Sequence, residues 1–226
     1  MVKITYFGHS SVKVENEYTS VFIDPFFINN PSPTIKNLNS IKADYIVVTH
    51  AHADHLGDTV AIAQNNNSLV LSNSEIISRI SNYDIKCHAM YISGKYNIVS
   101  GWIKFFPALH GSSFEDGTYG GLAIGVMIKL DGKMIYHAGD TGLTVEFKAI
   151  GELYNVDIAL LPVGGNFTMD CADAAIAAKW IGAKKVIPIH YNTWDRIAVK
   201  EQDIINSFQN ITELQILKCN QSMIMD

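Results

Sequence analysis

No Cys-x-x-Cys pair, no run of basic residues and no apolar stretch near the ~20 residues that span a bilayer occurs in this chain. The three cysteines, Cys87, Cys171 and Cys219, are odd in number and widely spaced. That argues against a disulfide framework and fits a reducing compartment, with each thiol acting as a small buried apolar group. Charged residues make up only 17% of the chain, which excludes a disordered, solvating polymer. The formal charge of −5, without a basic patch, speaks against nucleic acid or an anionic membrane surface as partner. A small anionic substrate stays open, because bound cations supply positive charge locally. The opening residues 1–6 have strand character and no basic-then-apolar leader, so a cytoplasmic location is expected.

What is present is a hydrophobic fraction of 48% over 226 residues, enough for the core of a single domain spanning 1–226. Short β-branched and aromatic segments at 3–7, 11–15 and 20–24 read as strands, the last ended by Asp24-Pro25. A polar loop through 29–33 follows, then a continuous apolar strand at 43–49. Helices are predicted at 57–65 and 74–81 around a strand at 69–71, and a meander of strands at 86–108. Segments 122–130 and 133–137 form a hairpin about Asp131-Gly132. Helices at 144–154, 170–181 and 200–209 alternate with strands at 157–162 and 185–189, and the tail holds one or two more strands. Strands followed by mixed strands and helices, twice over, suit a layered α/β protein.

The decisive stretch is Thr49-His50-Ala51-His52-Ala53-Asp54-His55-Leu56-Gly57. Four imidazole and carboxylate groups fall within six positions, directly after a buried strand. These are ligands for Zn and related divalent ions. The strand fixes the base of the cluster, the small Ala51 and Ala53 leave room for the rings to converge, and Gly57 permits a sharp turn. His110, Asp140 and His190 each stand just past a predicted strand, where α/β sheets gather functional groups.

At this point the chain resembles the metallo-β-lactamase superfamily, over nearly its whole length. Within that superfamily it resembles the UPF0173 metal-dependent hydrolases, relatives of ascorbate-phosphate lactonases. Gly8-His9-Ser10-Ser11, Asp24-Pro25-Phe26, Gly139-Asp140-Thr141 and Gly165-Asn166-Phe167-Thr168-Met169 carry that likeness alongside the His-x-His-x-Asp-His cluster. Ala51 and Ala53 stand where the family more often has Gly, and Gly165 where an acidic residue often precedes Asn166. The resemblance implies a four-layer αβ/βα sandwich with the metals along one edge. It also implies a ligand division, with His50, His52 and His110 on one ion, Asp54, His55 and His190 on a second, and Asp140 bridging. The cofactor expectation is two divalent ions, Zn first, with Mn, Fe, Co or Ni as alternatives.

The expected activity is hydrolysis of an ester, lactone or phosphodiester bond in a small molecule by a hydroxide shared between the ions. Asp54 would orient the water. His9 is a candidate proton donor or substrate contact, or a structural residue of its turn. Asp24 is expected to accept from a ligand imidazole, and His137 to pack beside the site or support it. Asn166 and Thr168 either touch substrate or belong to a helix cap that Thr168 or Asp170 provides. Loops 26–42 and 111–120 would shape the pocket, the second as a lid or as an ordinary connection. The rivals are an iron-dependent dioxygenase or diiron oxidoreductase on the same fold, an RNA phosphodiesterase, and a non-catalytic binding protein. The first would use fewer ligands or Glu in place of His52, the second a basic arm, and the third would have lost ligands. Homo-oligomeric assembly stays open.

Overall fold

The computed structural model describes residues 1–32 and 34–225, so Pro33 of the polar loop lies outside the described residues. The first half of the chain builds one sheet from β1 (Val2–Tyr6), β2 (Val12–Glu15), β3 (Ser20–Ile23), β4 (Tyr45–Val47), β5 (Leu69–Ser72) and β6 (Lys86–Ala89). Between these strands lie α1 (Ala53–Leu56), α2 (Thr59–Asn66) and α3 (Ser74–Ile80). The second half builds another sheet from β7 (Lys95–Ile98), β8 (Gly101–Pro107), β9 (Ile124–Leu130), β10 (Lys133–His137), β11 (Ile158–Pro162), β12 (Lys185–Ile189) and β13 (Glu213–Leu214). Its helices are α4 (Glu146–Leu153), α5 (Cys171–Ile181) and α6 (Glu201–Phe208). The chain then returns through β14 (Gln221–Met225), which pairs antiparallel with β1 and completes the first sheet.

Strand order is β14-β1-β2-β3-β4-β5-β6 in one sheet and β13-β12-β11-β10-β9-β8-β7 in the other. Both follow one rule. Pairing is antiparallel up to β3 or β10, and parallel from there outward. Period-two alternation divides each strand between two cores. On β4, Val47 points between the sheets while Ile46 points under the helices. On β11, Ile158 and Leu160 face the other sheet, and Ala159 and Leu161 face the helices. The continuous apolar runs seen in the sequence are strands buried on both faces. Helix, sheet, sheet and helix therefore stack as four layers.

Two sequence readings need correction, and a third, left open, gains detail. The predicted meander at 86–108 is divided between the sheets: β6 continues the first sheet in parallel with β5, while β7 and β8 open the second. Register across non-local pairs decides this, and one segment's pattern does not carry it. The helix predicted at 57–65 is α2, set after a separate short helix, α1, that carries Asp54 and His55. Loop 111–120 folds back on itself through the Ser113–Tyr119 bridge and is tied to α3 by the Arg79–Asp116 ion pair. Its Ser112 hydroxyl accepts from the Ala51 amide at 3.2 Å, so it buttresses the cluster loop from behind. No residue of 111–120 lines the cavity on the histidines, and the loop sits as a supporting connection.

Gly57 ends α1 at φ +40°, and a Cβ there would lie 2.3 Å from the Pro25 carbonyl oxygen. Asp58 donates its amide to that same oxygen at 2.8 Å, which ties the turn to the end of β3. Gly57→Ala is expected to lower stability by about 2 kcal/mol or more, from backbone strain plus overlap. Gly111→Ala, with nothing within 4 Å of its added Cβ, should stay within about 0.5 kcal/mol of the parent. Urea denaturation followed by circular dichroism measures both.

Candidate metal centre

Strand direction gathers the site. β1 and β3 are both antiparallel to β2, and β4 runs parallel to β3, so Gly8-His9, Asp24 and His50 leave the same end of the first sheet. In the second sheet β8 and β10 are both antiparallel to β9, and β11 and β12 follow β10 in parallel. His110, Asp140 and His190 therefore leave one end together. The two ends meet across the sandwich, where the His190 amide donates to the His9 carbonyl at 2.8 Å.

The seven expected ligands converge there. His50 Nε2 and His52 Nδ1 face each other at 2.9 Å, and the His110 ring stands 5.1 Å from His50 and 5.2 Å from His52. Asp140 Oδ2 lies 2.9 Å from His190 Nε2, 3.3 Å from His55 Nε2 and 3.7 Å from His110 Nε2. Asp54 Oδ2 lies 3.7 Å from His55 Nε2. Donor atoms fall into overlapping groups, each within 4.8 Å: His50, His52 and His110; His9, Asp54, His55 and His190; and His50, His55 and Asp140. His55 Nε2, Asp140 Oδ1 and His190 Nδ1 are buried polar atoms without a hydrogen-bond partner. A buried polar atom left unmatched costs about 1–3 kcal/mol. Orphaned nitrogen and carboxylate donors at this spacing fit divalent cations, and the borderline N/O set suits Zn, Mn, Fe, Co or Ni.

The partners behind these groups fix their tautomers. Asp24, fully buried, accepts from His55 Nδ1 at 2.7 Å, which leaves Nε2 turned to the cluster. It also accepts the Thr49 amide and the Thr49 hydroxyl, both at 2.7 Å. With its proton committed to Asp24, the Thr49 oxygen accepts from His50 Nδ1 at 3.0 Å, and His50 Nε2 keeps its lone pair for the cluster. One carboxylate thus aims an imidazole in each half of the site. His9 Nε2 donates to Asp54 Oδ2 at 2.9 Å, and its Nδ1 faces the Thr193 hydroxyl at 2.9 Å. His137 donates Nε2 to the Ser10 carbonyl at 3.0 Å and accepts the Gly139 amide at Nδ1. Both its nitrogens are spent on backbone, and it shapes the turn that presents Asp140.

Burial pushes the pKa of His50 well below the ordinary value, with help from neighbouring His55, and lowers those of His52 and His110. Neutral imidazole is the form that binds a metal. Burial also takes His9 down to about 4, against the pull of Asp54. Burial alone would raise Asp140, but His190 and His55 outweigh it and hold the carboxyl well below its usual range. Burial opposes a charge on His55 as well, yet Asp140 and Asp24 raise it.

A cavity of about 240 Å³ opens on this cluster, lined by His52, Asp54, His110, Asp140 and His190 together with Phe167 and Trp194. A larger cavity of about 540 Å³ lies behind the cluster loop, beside Ala51, Ala53 and Phe114, away from the ligand atoms. Asn166 and Thr168 do not line the site cavity. Asn166 takes the left-handed conformation at φ +50°, and Asp170, not Thr168, caps α5 by accepting the Asp173 amide. The sequence reading missed Phe167, Trp194, Thr49 and Thr193. An apolar ring between Asn166 and Thr168 in a turn, and a Trp four residues past His190, were the available signals.

Asp24→Asn keeps the volume but loses acceptor capacity toward His55 and Thr49. Metal affinity is expected to fall about 10- to 100-fold, read by competition with a chromogenic chelator. The metal-free protein should also lose stability as pH falls from 6.5 toward about 4. In that window the unfolded chain takes up the proton that buried His9 refuses, and the depressed imidazoles of His50, His52 and His110 act in the same sense. Urea midpoints at pH 6.5, 5.5 and 4.5 report it, below the range where the raised pKa of His55 acts in the opposite sense, and a flat profile contradicts it.

Comparison with known proteins places this arrangement. Residues 3–190 match the model of the beta-lactamase superfamily domain. A UPF0173 metal-dependent hydrolase of Bacillus mycoides is 41% identical over 228 residues, covering 99% of each chain. Another, from Anoxybacillus flavithermus, is 43% identical over 214 residues, covering 93% of this chain and 95% of its own. A solved metallo hydrolase from the hyperthermophilic archaeon Ignicoccus hospitalis superposes with a TM-score of 0.89 at 34% identity, covering 98% of this chain and 97% of that one. With a likeness that runs from end to end and a fold of two helix-backed mixed sheets, the chain belongs to the beta-lactamase superfamily and, within it, to the UPF0173 metal-dependent hydrolases.

Proposed function

We propose that the chain is a dinuclear hydrolase acting on an ester, lactone or phosphodiester bond of a small cytoplasmic molecule. The observation that carries the reading is Asp140 Oδ2, which stands within 3.7 Å of the Nε2 atoms of His190, His55 and His110. A carboxylate so placed joins the two groups of imidazoles. His50, His52 and His110 would hold one ion, Asp54, His55 and His190 the other, and Asp140 both, with Zn as first expectation. Two bound cations would acidify a shared water and polarise the bond under attack.

The chain's own residues do the rest. Asp54 is the partly exposed carboxylate at the cavity wall, and it orients the water. His9 is wholly buried and does not line the cavity, so we assign it to positioning. It donates to Asp54 and is itself held by Thr193, which fixes the carboxylate's angle. The role of proton donor is thereby withdrawn from His9. The cavity of about 240 Å³ suits a small substrate, and the formal charge of −5 weighs against RNA.

Metal removal tests this. The protein stripped by chelator should lose activity against a panel of esters, lactones and phosphodiesters, and regain it at two metal equivalents per chain. Asp140→Asn should bind one equivalent or none. Full activity with ions confirmed absent would refute the reading, and bound iron with oxygen consumption would transfer it to the oxidoreductases.

A further inference from the structure

The cavity on the metal centre and a more open depression of about 570 Å³ outside it have two lining residues in common, Phe167 and Trp194. The outer space is otherwise bounded by Thr193, Asp195 and Arg196. A molecule that reaches from the ligand cluster into the outer depression passes these two rings. They come from different connections, Phe167 from the turn between β11 and α5, and Trp194 from the segment after β12. Both are large apolar side chains left in water, 48% and 41% exposed. Scattered exposed apolar residues need no explanation, but two aromatics beside a cavity lined by histidines and aspartates are placed to meet whatever occupies it.

Their settings differ usefully. The Trp194 ring makes an edge-to-face contact with His9 at 4.9 Å and is flanked by Phe26 at 6.3 Å, while 41% of the residue stays exposed. It follows Thr193, which holds His9, so the wall that positions Asp54 also positions this ring. Phe167 follows two residues in the left-handed conformation, Gly165 at φ +65° and Asn166 at φ +50°, which turn the chain out toward the cavity. The Met169 amide, bonded to the Thr141 carbonyl at 2.9 Å, anchors the turn to the Asp140 segment.

We infer that Phe167 and Trp194 are a specificity clamp, and that the substrate carries a flat apolar arm, aromatic or conjugated, next to the bond that is hydrolysed. The inference rests on the metal-centre reading proposed above and adds the substrate class. Polar groups of the substrate face the histidine and aspartate cluster, and the arm lies between the rings, where offset or edge-to-face contact strengthens burial.

The test uses the metal-loaded protein and two probes that share a metal-seeking head, phenylphosphonate and methylphosphonate. Calorimetric titration should give phenylphosphonate an affinity about tenfold higher. Phenylphosphonate alone should change the tryptophan emission, and that change should vanish in Trp194→Phe, which retains Trp102 and Trp180. In Phe167→Ala and Trp194→Ala the phenyl advantage, read as the ratio of the two affinities within each variant, should shrink toward unity. Equal binding of the two probes by the parent, or an advantage that survives both alanine variants, would overturn the clamp and leave the metal centre standing. Binding of neither probe would count against the metal centre itself, and the clamp would fall with it.

Discussion

The pairing of one buried carboxylate, Asp140, with imidazoles from three other parts of the chain is the interaction on which the rest of the structure depends. A lone carboxylate at 3% exposure would be costly, because an ion removed from water loses several kcal/mol of solvation unless partners replace it. Here His190 and His55 supply that replacement directly, and His110 stands next nearest. Each partner is aimed by something further out. Asp24 orients His55, and through Thr49 it orients His50, so two carboxylates without contact with each other govern both sides of the cluster. The arrangement still leaves Asp140 Oδ1 and His190 Nδ1 without a hydrogen-bond partner, and His55 Nε2 with an ion-pair contact alone. Unmatched donors of that chemistry, held rigidly and dry, are what a cation-binding site requires.

The fold supplies this cluster by using one sheet pattern twice. In each sheet, antiparallel strands set the direction and parallel strands repeat it, so several strand ends open on the same edge. The apolar core between the sheets includes Val47, Leu71, Ile124, Leu160 and Ile189, residues of strands that lead toward the site. Packing that core brings the two edges together. Neither sheet alone offers the whole cluster: the first gives His50, His52, Asp54 and His55, and the second gives His110, Asp140 and His190. A cation held by residues of both sheets would bind only where the two are packed together, which couples its affinity to the stability of the sandwich.

Much of this was legible in the sequence because it is local. The His-x-His-x-Asp-His spacing, and the placement of His110, Asp140 and His190 just past apolar strands, need only the immediate neighbourhood to be read. The sheet order was not legible, since strand pairing is set by contacts far apart in the chain, and so 86–108 looked like one meander when it bridges two sheets. His137 shows a subtler limit. It stands at a strand end like the ligands, yet its nitrogens are spent on the Ser10 carbonyl and the Gly139 amide, partners only the fold supplies. Phe167 and Trp194 were passed over because an aromatic in a loop reads as ordinary surface until a cavity is seen beside it. In the same way, Asn166 and Thr168 drew attention as polar residues while the apolar ring between them holds the cavity wall.

X-ray data collected across the absorption edge of the bound metal test the central claim most directly. The account requires two anomalous peaks, separated by about 3.5–4 Å, with Asp140 Oδ2 in contact with both. A single peak, or a pair in which Asp140 touches neither ion, would contradict it.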